Sequence, residues 1–491
     1  MSIFSELSYS STKDTIIMFI ANTPQTNFEI WGILLPYYFS YLKHFNDDIT
    51  FNQVFASSCF FYLGILLCSW VYPSLVTVLG LKNMIRLSGT IYSLNTVIMH
   101  SFSSLTMVCL TITLIGFCIK IMFVTNMLYF SSKYPKKSTK LIGLANIGYA
   151  ALSFIWAYLY FYFINPGNDI MTEVAYNGTI EEKYFKWEIA QNFKHALNMN
   201  GLTCFIITMV CSMLITNPER YDSNIYMFLA WLFGKDKKEW VKVLNRKKNK
   251  TGVKVAQPKH KTYSTALIDS RDSGKSIELL SHHERETLKS KTVSEIVQEE
   301  LKKKKFWILF LVSIIKFILV YYMIDMNKIF GLIILKNDKF VTKCYSVISI
   351  SIGVFYSLVV LIFDKIGYIN GYIITSVVAL LIEIYFMSFT EEFPLMFILS
   401  LFLSLLNLAS IEQINNLILI YFYSLEVTLE LKKIFDFNLF IANVIIILCN
   451  TFLFKQTNFF PIFFCFFIFD VIGLLLAVVY LRSMKSENNK A

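Results

Sequence analysis

The chain has 491 residues, of which 55% are hydrophobic and 16% aromatic, and its formal net charge is +11. This apolar fraction is more than a soluble protein of the same length can bury, which excludes an ordinary soluble domain. The positive charge is concentrated beside apolar segments, which favours basic cytoplasmic loops of a membrane protein over nucleic-acid binding. The nine cysteines show neither metal-ligand spacing nor a disulfide framework.

Helix-length apolar segments follow one another along the chain, each close to the roughly 20 residues that cross a bilayer core. We place twelve, at 15–42, 53–78, 84–103, 105–130, 139–164, 200–216, 304–328, 342–363, 368–389, 394–422, 434–454 and 461–482. The sequence therefore predicts an all-α membrane protein. It would have two six-helix bundles, at 1–216 and 304–491, joined by a basic and largely disordered cytoplasmic loop at 217–303.

Loop charge predicts the orientation. The loops on one side of such an arrangement, at 80–86 and 131–140 and in the central stretch, are mostly basic, whereas the other side carries acidic residues such as Glu181 and Glu391. Because basic loops stay in the cytoplasm, we expect both termini there. The first dozen residues lack the pattern of a signal peptide. The plasma membrane and organelle membranes therefore both remain open.

A short motif lies between the eighth and ninth segments. The run Asp364-Lys365-Ile366-Gly367 resembles the Asp-Arg/Lys-x-Gly core of the major facilitator superfamily signature. At the matching place of the first half, Gly80 and Lys82 are present but the aspartate is not. The resemblance implies the major facilitator fold, with Asp364, Lys365, Gly367, Gly80 and Lys82 in a gating motif.

A longer stretch points to one branch of that superfamily. The aromatic pair Tyr129-Phe130, the basic loop up to Lys137 and the glycines Gly143 and Gly148 resemble the junction of helices 4 and 5 in the oxalate/formate antiporter and monocarboxylate-transporter branch. This resemblance implies alternating-access transport of a small organic anion, coupled to a proton or to an exchanged anion. Pyruvate, lactate, formate and pantothenate are examples of such solutes.

Charged residues within the apolar segments are the candidate site. The resemblance implies that helices 1, 4, 7 and 10 line the solute cavity. Lys120 lies in the fourth segment, Lys316 in the seventh and Glu412 in the tenth. A lone charge in hydrocarbon costs about 2.5–3.5 kcal/mol or more, so these groups must face water or a partner. We expect the two lysines to bind a carboxylate and Glu412 to carry a proton or act as counter-ion. Alternatively, Lys120 and Glu412 form a structural ion pair between the halves. Further predicted substrate contacts are Asn22, Asn27 and Asn407.

Enzyme motifs are not supported. The run from Asp269 to Ser276 lacks the first glycine of a P-loop, and His282-His283-Glu284 lacks a spaced second ligand for zinc. We therefore expect no catalytic residue, cofactor or metal. Glu383 and Asp470, in the ninth and twelfth segments, are interpreted as helix-packing groups.

Two other interpretations remain. One keeps the fold but changes the solute to an amino acid, nucleoside or drug, and the other is a non-transporting membrane receptor or scaffold. In each case the expected partners include the lipid bilayer and exclude nucleic acid. For a carrier they also include the solute and a proton or counter-anion.

Overall fold

A computed structural model describes residues 9–102, 104–134, 138–177, 180–215, 293–366, 368–387, 394–422, 425–454 and 459–488. The first half contains α1 Tyr9–Ala21, α2 Thr23–Glu29, α3 Trp31–Phe45, α4 Phe51–Ala56, α5 Ser58–Ile98, a 3₁₀ turn Met99–Ser101, α6 Leu105–Lys133, α7 Ser138–Ile164, β1 Glu173–Asn177, β2 Ile180–Tyr184 and α8 Trp187–Leu214. The second half contains α9 Val293–Lys302, α10 Lys304–Leu335, α11 Asp338–Ile366, α12 Tyr368–Met387, α13 Pro394–Phe422, α14 Leu425–Leu453 and α15 Phe460–Asn488.

The predicted first helix, 15–42, is three shorter helices, α1 to α3. Pro24 has no backbone N–H for the helical ladder. The hydroxyl groups of Thr23 and Thr26 donate hydrogen bonds to nearby backbone carbonyls, each at 2.6 Å. These local bonds compete with a continuous helix, so the first crossing is broken near its middle.

The predicted second and third helices form one continuous element, α5, with a sharp kink at Gly80. Gly80 has φ 72° and ψ 162°, a backbone conformation that a residue with a Cβ rarely adopts. The loop expected at residues 80–86 is therefore a kink at a single glycine, followed by helix.

Two other helices begin earlier than predicted. α8 begins at Trp187 rather than near residue 200, and α14 begins at Leu425 rather than near residue 434. The first turns of both helices are rich in polar and charged residues, such as Lys194 in α8 and Glu430 in α14. Because hydropathy defined the predicted helices, these polar first turns were left outside them. Residues 217–292 of the predicted central loop lie outside the described residues, and α9 covers the end of that loop.

The N-terminal half, up to residue 215, contacts the C-terminal half, from residue 293, chiefly through three helix pairs. These are α7 with α11, α5 with α14, and α3 with α10. Within the described residues, seven helical stretches are long and apolar enough to cross a membrane. Many of their large apolar side chains, such as Leu110, Leu202 and Leu475, are exposed on the outside of the bundle. That surface suits contact with lipid.

The hairpin of β1 and β2 belongs to the N-terminal half. Glu173 pairs with Tyr184 at its open end. Phe51 donates its backbone N–H to Glu182 Oε1 at 2.9 Å, and Phe185 donates its backbone N–H to Ser40 Oγ at 2.9 Å. These two bonds fix the hairpin and its C-terminal end to α3 and α4.

Candidate functional site

Lys120 of α6 forms an ion pair with Asp436 of α14, across the boundary between the halves. Its Nζ lies 2.9 Å from Oδ1 and 2.8 Å from Oδ2, and both side chains are buried, with 8% and 6% of their surface exposed. Ser69 of α5 donates a further hydrogen bond to Asp436 Oδ2. An inter-half ion pair of Lys120 was one of the sequence expectations, and the acid that forms it is Asp436.

A second ammonium lies near this pair. The ring of Phe123 has Lys120 Nζ 5.8 Å from its centroid and Lys432 Nζ 5.4 Å from it. Two lysines therefore lie against the ring of Phe123, and one of them, Lys120, is paired with Asp436. An ammonium at a partly dry interface can bind an anionic group.

Lys316 of α10 has a different partner. Its Nζ lies 2.6 Å from Asp470 Oδ1 of α15, with 1% and 2% of the two side chains exposed. Glu383 of α12 lies against Asp470 and is fully buried. All three helices belong to the C-terminal half. The structure therefore gives Lys120 and Lys316 separate aspartates, and Glu383 and Asp470 join Lys316 in a charged cluster.

A third charged cluster, the far-face cluster, joins the halves at the face of the membrane opposite the start of α1. Lys328 of α10 forms an ion pair with Asp338 at the start of α11, and both are fully buried. Asp338 Oδ2 also accepts hydrogen bonds from Tyr37 Oη of α3 and from Asn165 Nδ2 at the end of α7. Lys328 also donates to Thr342 Oγ1.

Sequence reasoning missed the far-face cluster because the seventh helix was expected to end at residue 328. α10 runs on to Leu335, so Lys328 lies inside a helix. The early start of α14 had the same effect on Asp436, which lies eleven residues into that helix. A search for charges that pair across predicted helix ends could have found both residues.

The remaining predicted site residues are distributed differently. Asn22 is buried between α1 and α2, and Asn407 donates a hydrogen bond to the Thr375 carbonyl of α12 at 3.2 Å. Gly80 is the kink of α5, and Lys82 is half-buried just after it. Outside the described side chains lie those of Asn27, Glu412, Asp364 and Lys365, together with the whole of Gly367.

A small cavity of about 40 Å³ lies inside the N-terminal half. Its wall includes Trp31, Tyr92, Tyr160 and Asn200, and Asn200 Nδ2 donates to the hydroxyl groups of both tyrosines. A volume of this order is suited to water-sized occupants. The lining residues all come from the N-terminal half, so this cavity is separate from the inter-half contact of Lys120.

Comparison with known proteins gives structural matches but no sequence matches. No protein-family model matches the chain, and no curated protein matches it. The xylose transporter of E. coli, in a partially occluded inward-open conformation, is similar with a TM-score of 0.62 at 10% identity, covering 97% of this chain and 98% of that chain. A D-xylose–proton symporter is similar with a TM-score of 0.62 at 9% identity, covering 95% and 96%.

A nucleoside transporter is also similar, with a TM-score of 0.58 at 11% identity, covering 96% of this chain and 99% of that chain. Likeness at this identity establishes the fold. The expected fold class is therefore confirmed, whereas the resemblance to the oxalate/formate and monocarboxylate branch is not. These similar proteins are transporters, which agrees with the expectation of a non-enzyme. The chain is an integral, multi-pass, all-α membrane protein with the two-bundle, twelve-helix major facilitator fold.

Proposed function

We propose that the chain is a secondary transporter that moves a small solute by alternating access. The observation that carries this proposal is the presence of buried charged contacts between the halves at two depths. Asp436 and Lys120 lie about 17–20 Å from the face where α1 begins, using about 1.5 Å per helical residue. The cluster of Asp338 and Lys328 lies near the opposite face. Rocking of one half against the other would separate one contact while the other stays closed.

We further propose that the solute is a small organic anion, such as pyruvate, lactate, formate or pantothenate, and that Lys120 contacts it. The position of Lys120 supports this assignment, since its buried ammonium lies at the boundary between the halves and an ammonium can bind a carboxylate. Lys316 lies with Asp470 and Glu383, so a solute carboxylate there would meet two acids. An anion at Lys316 would have to displace one of these acids.

A neutral polar solute is the second candidate. The similar structures include proteins described as xylose and nucleoside transporters, and their fold is the fold of this chain. In this version Lys120 and Asp436 would act as a latch between the halves, and the solute would bind through neutral polar groups. The third possibility, a receptor or scaffold that moves no solute, has the same architecture but no flux.

The proposed orientation has both termini in the cytoplasm. Asp338 joins the halves at the face opposite the start of α1, through the hydrogen bonds that it accepts from Tyr37 and Asn165. The similar xylose transporter was captured in an inward-open conformation. An inward-facing carrier is closed on its outer face, which supports assigning the far-face cluster to the outer side. The proposed energy source is a proton or an exchanged anion. Coupling to a proton is supported by the structural similarity to a D-xylose–proton symporter.

Uptake into proteoliposomes containing the purified full chain tests the proposal. The probes are radiolabelled pyruvate, xylose and uridine, each with and without an imposed pH gradient. Saturable uptake of pyruvate that falls in a Lys120→Met variant supports the anion carrier, and uptake of xylose or uridine instead supports the second candidate. Glu182→Gln, in the hairpin, is the matched control. Absence of saturable flux for all three probes, with protein that is folded and inserted, would count against transport.

A further inference from the structure

The cluster of Lys316, Asp470 and Glu383, here called the acid pair cluster, contains more acid than it can neutralise. Lys316 Nζ lies 2.6 Å from Asp470 Oδ1. The Glu383 carboxyl lies against Asp470, yet neither of its oxygens receives a hydrogen bond from a donor within the described residues. Glu383 has 0% of its surface exposed, so bulk solvent does not reach its carboxyl in this conformation.

Two ionised carboxylates in contact cannot stabilise each other. Both would be acceptors, and one ammonium compensates only one of the two charges. An unpaired buried charge is costly, whereas a single proton between two carboxyls supplies the missing donor and removes the second negative charge. The cluster therefore lacks one hydrogen-bond donor and carries one negative charge too many, and a single shared proton corrects both.

The groups that face Glu383 support this count of two carboxyl groups and one ammonium. α15 contributes Asp470 and α10 contributes Lys316. α11 and α13 also pack against α12, and their described side chains add no charged group at this position. On α12 itself, Leu381 and Ile384 are exposed toward the lipid side, whereas Ile382 and Phe386 are buried with Glu383. Glu383 thus points into the C-terminal half.

We propose that Glu383 and Asp470 share one exchangeable proton beside Lys316, and that this acid pair cluster is the proton-coupling site of the carrier. The inference rests on the proposed transport function and gives it a specific ion and a location. When the site discharges, the proton leaves the carboxyl O–H for water and the bonding electron pair stays on the carboxylate oxygen. The cluster then carries a second negative charge, which attracts Lys316 more strongly.

α10 provides the connection to the moving interface. The same helix that carries Lys316 also carries Tyr321, whose ring lies 5.2 Å from that of Tyr62 in α5. Further along, the backbone of Ile324 packs directly on Gly32 of α3. A change of charge at Lys316 therefore acts on the helix that forms contacts with the other half.

Infrared difference spectroscopy of the purified full chain tests proton occupancy without knowledge of the solute. The wild type should show a carboxylic-acid C=O band that shifts in heavy water and disappears as the pH is raised. Glu383→Gln should remove this band, and Asp470→Asn should remove or shift it. Asp325→Asn is the matched control, since Asp325 is another buried acid of α10 with an unpartnered oxygen. A band that persists in Glu383→Gln but is lost in Asp325→Asn overturns the proposal.

Transport in proteoliposomes tests coupling, using the probe that the wild type takes up. One coupled proton allows about tenfold accumulation per unit of pH gradient. Glu383→Gln should reduce this accumulation to about onefold while exchange of labelled for unlabelled solute stays within about twofold of wild type. Unchanged proton-driven accumulation refutes the coupling site although transport itself stands. An absence of flux in the wild type instead refutes the transport proposal, and the infrared result remains interpretable.

Discussion

Replacing Lys120 by methionine should open the boundary between the halves at the depth of Asp436. Methionine keeps much of the length of the side chain but removes the ammonium. In the structure, Asp436 would then lose the ammonium of Lys120 and keep the hydrogen bond from Ser69, at a site where 6% of its side chain is exposed. When the halves separate there, the same carboxylate meets water. The substitution therefore penalises the closed arrangement much more than the open one.

The size of this effect follows from the burial of the pair. Removing one partner of a buried ion pair costs about 3–5 kcal/mol. Since about 1.4 kcal/mol changes an equilibrium tenfold, this shifts the population by between about 100-fold and about 4,000-fold. The retained bond from Ser69 favours the lower end. The double variant Lys120→Met/Asp436→Leu removes both charges, and such replacements are often neutral or stabilising. It should therefore return close to wild type.

Cys68 is a native reporter for this opening. It is fully buried in α5 and lies close enough to Lys120 and Asp436 to interact with both charges. We expect a maleimide to label Cys68 about 100-fold faster in Lys120→Met than in wild type, followed by peptide mass spectrometry. The double variant should label at the wild-type rate. Equal rates in wild type and Lys120→Met would refute the reasoning, and so would a double variant as fast as the single one.

Three further predictions concern other contacts. Gly32→Ala places a Cβ against the backbone of α10, within 2.9 Å of a carbonyl carbon, so it should destabilise the protein by about 1–3 kcal/mol and lower its melting temperature, whereas Gly167→Ala in the loop after α7 should not. Asp338→Asn leaves Lys328 without its counter-charge, so a loss of about 3–5 kcal/mol in the free energy of unfolding in detergent is expected, and a loss below about 1 kcal/mol would contradict the geometry. Burial raises the pKa of Glu182, so its charged form is the costly one in the folded state and stability should fall as the pH rises through the range between its unfolded and folded pKa values. Glu182→Gln should remove that slope from the melting temperature.

The sequence was sufficient for the architecture because membrane-spanning helices leave a strong hydropathy signal. Apolar segments of about the right length gave the two bundles and their order, and the intramembrane lysines were found because a charge stands out in an apolar run. Lys120 was singled out as a charge that must face water or a partner, and its substrate contact stays a prediction. Neither its partner nor that of Lys316 could be derived, since pairing across helices depends on their rotation.

Errors at helix ends had the largest effect on the candidate site. Polar first turns hid the starts of α8 and α14, so Asp436 was taken as a residue near a helix terminus. The same kind of error left Lys328 at the predicted end of its helix. Glu383 and Asp470 were treated as packing groups because their contact with Lys316 joins three helices that are far apart in the sequence. Charge at a helix end therefore deserves the same scrutiny as charge at its centre when the ends are defined by hydropathy alone.

Asp338 imposes a condition on the rate of any motion at its face. One carboxylate there binds Lys328 of its own half and also Tyr37 and Asn165 of the other half. Tyr37 and Asn165 both donate to the same oxygen, Oδ2 of Asp338. When one of these hydrogen bonds breaks, the carboxylate is held less firmly in the orientation that the other bond needs. This contact between the halves should consequently break in a single cooperative step. The kinetics of its opening would then show one exponential phase rather than several.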